Sequence, residues 1–123
     1  MADVVERPED LLPLPAAQLH ILMALADGEK HGYAVMREVE SMTEGEVTMG
    51  PGTLYGAIKK MLNAGLVQET DQRPDPEIDD ERRRYYRMTG LGARVLDAET
   101  ARLERLVRTA HAKRGLRPGL GGV

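Results

Sequence analysis

Between Gly50 and Gly65 the sequence marks out one helix at both ends, and the rest of the chain has to be read around it. Pro51 suits a first helical position, because its fixed φ is already helical and its missing N–H would have no partner there. Leu54, Ile58, Met61 and Leu62 then recur at i, i+4, i+7 and i+8, which predicts one buried stripe. Gly65 supplies the stop, since the residue after a helix end commonly takes the left-handed conformation. The opposite face carries Thr53, Gly56, Lys59, Lys60 and Asn63, all small or hydrogen-bonding apart from the two cations. Such a face fits a DNA major groove, although lysines on a solvated helix face are the ordinary case.

Two shorter helical segments precede it. Residues 1–14 have scattered Pro and mixed charge without periodicity, which predicts a flexible arm. From Ala16 to Asp27, Leu19, Leu22, Met23 and Ala26 fall on one stripe, widened by Ile21 and Leu25, and Asp27-Gly28 ends it. His31-Gly32 opens a second segment in which Tyr33, Met36, Val39 and Glu40 share a face, flanked by Val35 and Met42. Three short helices in succession, the third with a cationic face, predict a helix-turn-helix.

After Gly65 the period changes. Leu66 to Thr70 and Arg82 to Met88 read as short strands, separated by the polar, Pro-containing loop Asp71 to Glu81. Helix, strand, loop, strand is the order of a winged helix, so residues 15–89 form the expected winged helix-turn-helix domain. Either Tyr85 or Tyr86, but not both, should be buried, because alternate residues of a strand face opposite sides. Helical spacing resumes at Leu91 and continues through Val95, Leu96, Leu103, Leu106, Val107 and Ala110. A helix over residues 90–114 is too long for so small a core to cover, which makes Leu96, Leu103, Leu106, Val107 and Ala110 a candidate dimer interface. Residues 115–123, with four Gly and one Pro, read as a flexible tail. The expected fold class is mainly α with a small β-hairpin.

Charge and composition narrow the function classes. The net charge of −3 argues against nucleic acid only as an average, because residues 82–87 hold four Arg and no acid. No cysteine occurs, which excludes disulfides and thiolate metal sites and favours the cytoplasm. No apolar run approaches the ~18 residues of a membrane span. The acids Asp71, Asp75, Glu77, Asp79 and Asp80 lack calcium-loop spacing, and His20, His31 and His111 lie too far apart to form a zinc pair. No nucleophile, base and orienting residue fall together, so the chain is not expected to be an enzyme and no cofactor is expected.

Four signatures occur in order: Gly28-Glu29-Lys30-His31-Gly32-Tyr33, Gly52-Thr53-Leu54-Tyr55, Gly65-Leu66-Val67, and Arg82-Arg83-Arg84-Tyr85-Tyr86-Arg87-Met88-Thr89. In these the chain resembles PadR-family transcriptional regulators of the short type, with a single C-terminal helix, from about Leu19 to Leu106. The resemblance implies a homodimer on a palindromic double-stranded DNA operator, usually a repressor released by a small molecule. Gly56 and the acidic loop depart from the common pattern, which bears on operator sequence and wing-tip contact.

The candidate DNA-contacting residues are then Gly52, Thr53, Tyr55, Lys59, Lys60, Arg82 and Arg84. The Thr53 hydroxyl would reach a phosphate or base edge, and Lys59 ranks ahead of Lys60 because it lies nearer the presented end. Tyr55 either packs sideways on the second helix or donates its hydroxyl to a phosphate. Arg82 and Arg84 share a strand face, and the arginines not used on DNA would pair with Asp79, Asp80 or Glu81. His31 reads as a structural residue at a helix start or a DNA-backbone contact. The competing class is a helical protein-interaction module that pairs through its long helix without touching DNA.

Overall fold

The computed structural model describes residues 7–70 and 84–115. A short 3-10 turn, Pro8–Leu11, leads into α1 (Ala16–Leu25), β1 (Lys30–His31), α2 (Gly32–Met42), α3 (Pro51–Ala64), β2 (Val67–Thr70), β3 (Tyr85–Met88) and α4 (Gly90–Arg114). The strands form one antiparallel sheet in the order β1-β3-β2. Val67 lies opposite Met88 and Thr70 opposite Tyr85, while Lys30 and His31 pair with Tyr86 and Tyr85. The hairpin is as expected, but the third strand is not. Two residues carry no alternation to detect, and their partner is far along the chain.

The helix bounded by Pro51 and Gly65 forms as its end signals predict. Gly65 takes φ 79°, and the N–H groups of Gly65 and Leu66 donate to the carbonyls of Leu62 (3.1 Å) and Met61 (2.9 Å). This double bond satisfies carbonyls that a helix end otherwise leaves open. Leu54, Ile58 and Met61 are buried, Leu62 half-buried. They meet Ile21, Leu22, Ala24 and Leu25 of α1, Val35 and Val39 of α2, Leu66, Val67, Tyr86 and Val95 in one core. Tyr86 is the buried tyrosine of the pair, with Tyr85 half-buried. The His31 side chain caps α2, its Nδ1 accepting the Ala34 N–H at 3.2 Å, and its ring stands edge-on to Tyr85. Of the two roles open to His31, the structure gives it the helix start.

The predicted stripe of α1 is rotated. Ile21, Leu22, Ala24 and Leu25 face the core, whereas Met23 (45% exposed) and Ala26 point away and Leu19 is half-buried. A helix that is apolar on every side has no phase to read from its sequence.

The flexible arm expected over residues 1–14 is also corrected within the described residues. Pro8–Leu11 packs against α4, and Leu14 is buried. Its anchor is Glu99 of α4, 1% exposed. One carboxylate oxygen, Oε2, accepts the Leu14 N–H (3.1 Å) and Arg102 Nη2 (3.0 Å), and Oε1 accepts Arg102 Nε (2.6 Å). A charge at such depth persists because both its oxygens are hydrogen-bonded. The Arg102 guanidinium holds this carboxyl below the usual carboxylate range, against the opposing effect of burial, and the Leu14 N–H adds to it. A lowered folded-state pKa contributes stability above the pH where a free Glu titrates, about 4.3, and loses it as pH falls through the folded-state value. Glu99→Gln should therefore be less stable than the parent at pH 7, and the difference should shrink as the pH is taken below about 4. Thermal unfolding of the two proteins from neutral to acid pH measures this; parallel curves would remove Glu99 from the acid response.

Candidate nucleic-acid interface

The side of α3 away from the core is open along its length. Pro51, Gly52, Thr53, Gly56, Lys59, Lys60 and Asn63 are exposed, and α3 contains no acid. A Cβ built on Gly52 or Gly56 would meet nothing within 4 Å. Packing within the chain therefore does not require a glycine at either position, although each weakens a helix by about 1 kcal/mol relative to Ala. What the two positions offer is close approach to the helix backbone from outside. Beside this face lies a shallow cleft of about 320 Å³, walled by Pro15, Ala17 and Gln18 at the start of α1 and by Gly52, Thr53, Gly56 and Lys60 of α3. Ala17 and Gln18 carry no motif, and only the packing of α1 on α3 brings them here.

Six of the seven candidate residues fall on described positions. Gly52, Thr53, Lys59 and Lys60 share the open face. Tyr55 does not: its hydroxyl is buried, and it lies where a Cβ on Gly32 would stand, with its Cζ 2.7 Å from that position. Of the two roles left open for Tyr55, the structure shows sideways packing on α2, and Gly32 is the residue that admits the ring.

Arg84 is exposed at the start of β3, with Nε 3.4 Å from Glu69 Oε2 on the neighbouring strand. Both side chains are more than a third or nearly a third exposed, at 43% and 33%, so water screens the pair and leaves the guanidinium able to exchange partners. Among the described residues Glu69 is its acidic partner. Arg82, Asp79, Asp80 and Glu81 lie outside the described residues. Arg87, exposed on the other face of β3 opposite Gln68, is a further cation on the hairpin.

The dimer candidates divide between two surfaces. Leu96, Leu103 and Val107 of α4 line an apolar groove of about 700 Å³ together with Leu19, Met23 and Ala26 of α1. Leu106 instead continues the line of Val95 and Glu99, where the body no longer covers it, and is 53% exposed, as Val107 is 54%. Ala110 is exposed. Among the described residues no group of three His, Cys, Asp or Glu is placed to hold a metal ion, and no helix is long and apolar enough to cross a membrane.

Known proteins share this arrangement. The fold is that of a transcriptional regulator from Clostridium thermocellum, with TM-score 0.65 and 21% identity over 78% of this chain and 87% of that one. RosR of H. salinarum is 30% identical, with TM-score 0.59, over 81% of this chain and 80% of its own. A PadR family transcription regulator from Clostridium difficile R20291 gives TM-score 0.62 at 20% identity, over 80% of this chain and 97% of that one. An uncharacterized 37.1 kDa protein in transposon TN4556 of Streptomyces fradiae is 33% identical over 90 residues; these are 73% of this chain, which spans about a quarter (24%) of that relative's length. The pattern of the transcriptional regulator PadR-like family matches residues 21–98, from the middle of α1 through the first turns of α4, and so takes in every element that builds the open face of α3. The chain belongs to the PadR-like family of transcriptional regulators.

Proposed function

We propose that the chain is a cytoplasmic, sequence-specific repressor that binds a palindromic operator as a homodimer and is released by a small-molecule effector. The observation that carries the DNA reading is the acid-free face of α3, where Lys59 and Lys60 stand opposite the buried Leu54, Ile58 and Met61. Thr53 and the bare backbone at Gly52 and Gly56 would meet base edges, and the lysines would meet phosphates, which position a protein without reading sequence. Arg82 and Arg84 would hold the flanking DNA backbone. Leu96, Leu103, Leu106, Val107 and Ala110 would face the partner copy. The apolar groove between α1 and α4 supports pairing and effector binding alike, and the His111 Nδ1 on its wall is buried with no hydrogen-bond partner among the described residues, so that an incoming polar group would satisfy it.

Selection of duplexes from a random pool tests the reading. It should enrich a palindrome whose binding weakens steeply with salt. Enrichment of nothing above background would sink the DNA reading and favour the protein-interaction module. Lys59→Ala should weaken operator binding and lower the slope of log affinity against log salt by about 0.9, the share of one phosphate. Titrations at several salt concentrations measure that slope, and an unchanged value would take Lys59 off the contact surface.

A further inference from the structure

Thr89, between β3 and α4, joins the end of α3 to the start of α4 through three of its polar groups. Its hydroxyl accepts the Gly92 N–H (3.0 Å), capping α4, and donates to the carbonyl of Gly65 (2.5 Å), just past the end of α3. Its main-chain N–H donates to the carbonyl of Leu66 (3.0 Å), and its carbonyl starts the α4 ladder by accepting Ala93 N–H (2.9 Å). Gly92 brings the two backbones as close as they can come. A Cβ there would overlap the Leu66 carbonyl oxygen and stand 2.9 Å from Met88 Cγ. Because the obstacle is backbone, α4 itself would have to move.

We infer that Thr89 and Gly92 are positioning residues that fix the angle between α3 and α4, and through it the spacing of the two DNA half-sites the dimer accepts. The inference rests on the reading of the chain as a dimer paired through α4. In such a dimer α4 is the shared frame, and each α3 reaches DNA only through its attachment to that frame. Half-sites one helical turn apart are separated by about 34 Å. One base pair spans about 3.4 Å and turns the groove by about 35°, so moving each α3 by half that distance and half that rotation changes the preferred spacing by a full step, and the angle between α3 and α4 governs both. Hydrogen bonds to both the hydroxyl and the N–H of Thr89, with the backbone approach at Gly92, hold the end of α3 against the start of α4 in one orientation. The hydroxyl's hydrogen-bond partners, Gly65 and Gly92, are not among the candidate DNA-contacting residues; it acts on α3 from behind.

The test uses the full chain and the palindrome it selects, built with the half-sites at the selected spacing, with one or two base pairs added or removed, and as a single half-site. The parent should prefer its own spacing by about tenfold or more, the scale of one lost base contact. Thr89→Val keeps the shape and removes the hydroxyl; it should flatten that preference while binding the single half-site as the parent does. Thr89→Ser keeps the hydroxyl and should restore the parental profile. Gly92→Ala should weaken the selected spacing relative to its neighbours. A valine variant with the parental spacing profile would overturn the inference. So would one that loses half-site and palindrome binding together, because the hydroxyl would then be holding the fold and not the angle. If the parent itself bound the single half-site as tightly as the palindrome, the dimeric reading would fail first, and that result is visible before any variant is made.

Discussion

Ile58→Ala should cost about 2 to 5 kcal/mol of folding stability, the range for truncating a buried aliphatic side chain that leaves a cavity. Ile58 sits in the middle of α3, at 2% exposure, between Leu54 and Met61 and against α1. For a domain whose whole stability is about 5 to 15 kcal/mol, such a loss is a large fraction. Leu62, one turn further and half-buried, is the comparison: Leu62→Ala should cost less, because part of its side chain already meets water. Denaturant unfolding of both variants measures the difference. A larger loss at Leu62 would mean that α3 is rotated from the orientation described, and the exposure of Lys59 and Lys60 would then have to be reassigned with it.

That helix was legible in the sequence because its signals are local and redundant. Pro51, the apolar spacing and Gly65 each report the same segment independently, and so the exposed face followed from the buried one. The length of α4 was legible for the same reason. The orientation of α1 was not, since Ile21, Leu22 and Leu25 on one side and Leu19, Met23 and Ala26 on the other are equally apolar; which set faces the core is decided by α2 and α3. Tyr55 shows a different limit. Its position on α3 allowed two directions, and the choice was made by the absence of a side chain at Gly32, on another helix. Glu99 was missed because a glutamate among polar neighbours on a long helix reads as solvated. Its burial depends on the segment around Leu14 folding back over it, and that segment carries no periodicity of its own. The contact that joins Thr89 to Gly65 spans 24 residues; each half has a helix-end signature, a Thr before one helix and a Gly after the other, but nothing local in the sequence joins them.

The net charge is similarly a poor guide to the surface that matters. Acids crowd residues 69–81, and none lies on α3. One of the described acids, Glu69, pairs with Arg84 at the base of the wing. An exposed pair of this kind is worth about 1 kcal/mol or less, so phosphate can compete for the arginine when DNA arrives.

Leu103→Asp combined with Leu106→Asp should give a folded monomer whose operator affinity falls toward the nonspecific level, about a thousandfold or more below the parent. The first part follows from exposure. Leu106 is 53% exposed in the isolated chain and Leu103 only half-buried, so neither supports the core of Ile21, Leu54, Ile58 and Val95. The second follows from the surface they leave. From Glu104 to Ala110 every residue of α4 is exposed, and this stretch includes Leu106 and Val107. Beside it the groove of Leu19, Met23, Leu96 and Leu103 is open to solvent. Leu106 and Val107, exposed on an otherwise charged helix end, lie next to that apolar groove, and a two-fold axis would let each α4 end cover the other's groove. Leu96, Leu103 and Ala110, seven residues apart, suit helices crossing at a shallow angle. Two charges at the centre of that contact would have to be desolvated without partners, which costs several kcal/mol per ion and opposes pairing. With the dimer gone, each winged helix binds one half-site alone and loses the gain from holding two at once. Sedimentation reports the mass, circular dichroism the fold, and titration the affinity. A double mutant that still sediments as a dimer would place the contact elsewhere, and one that is monomeric yet keeps parental operator affinity would separate pairing from recognition.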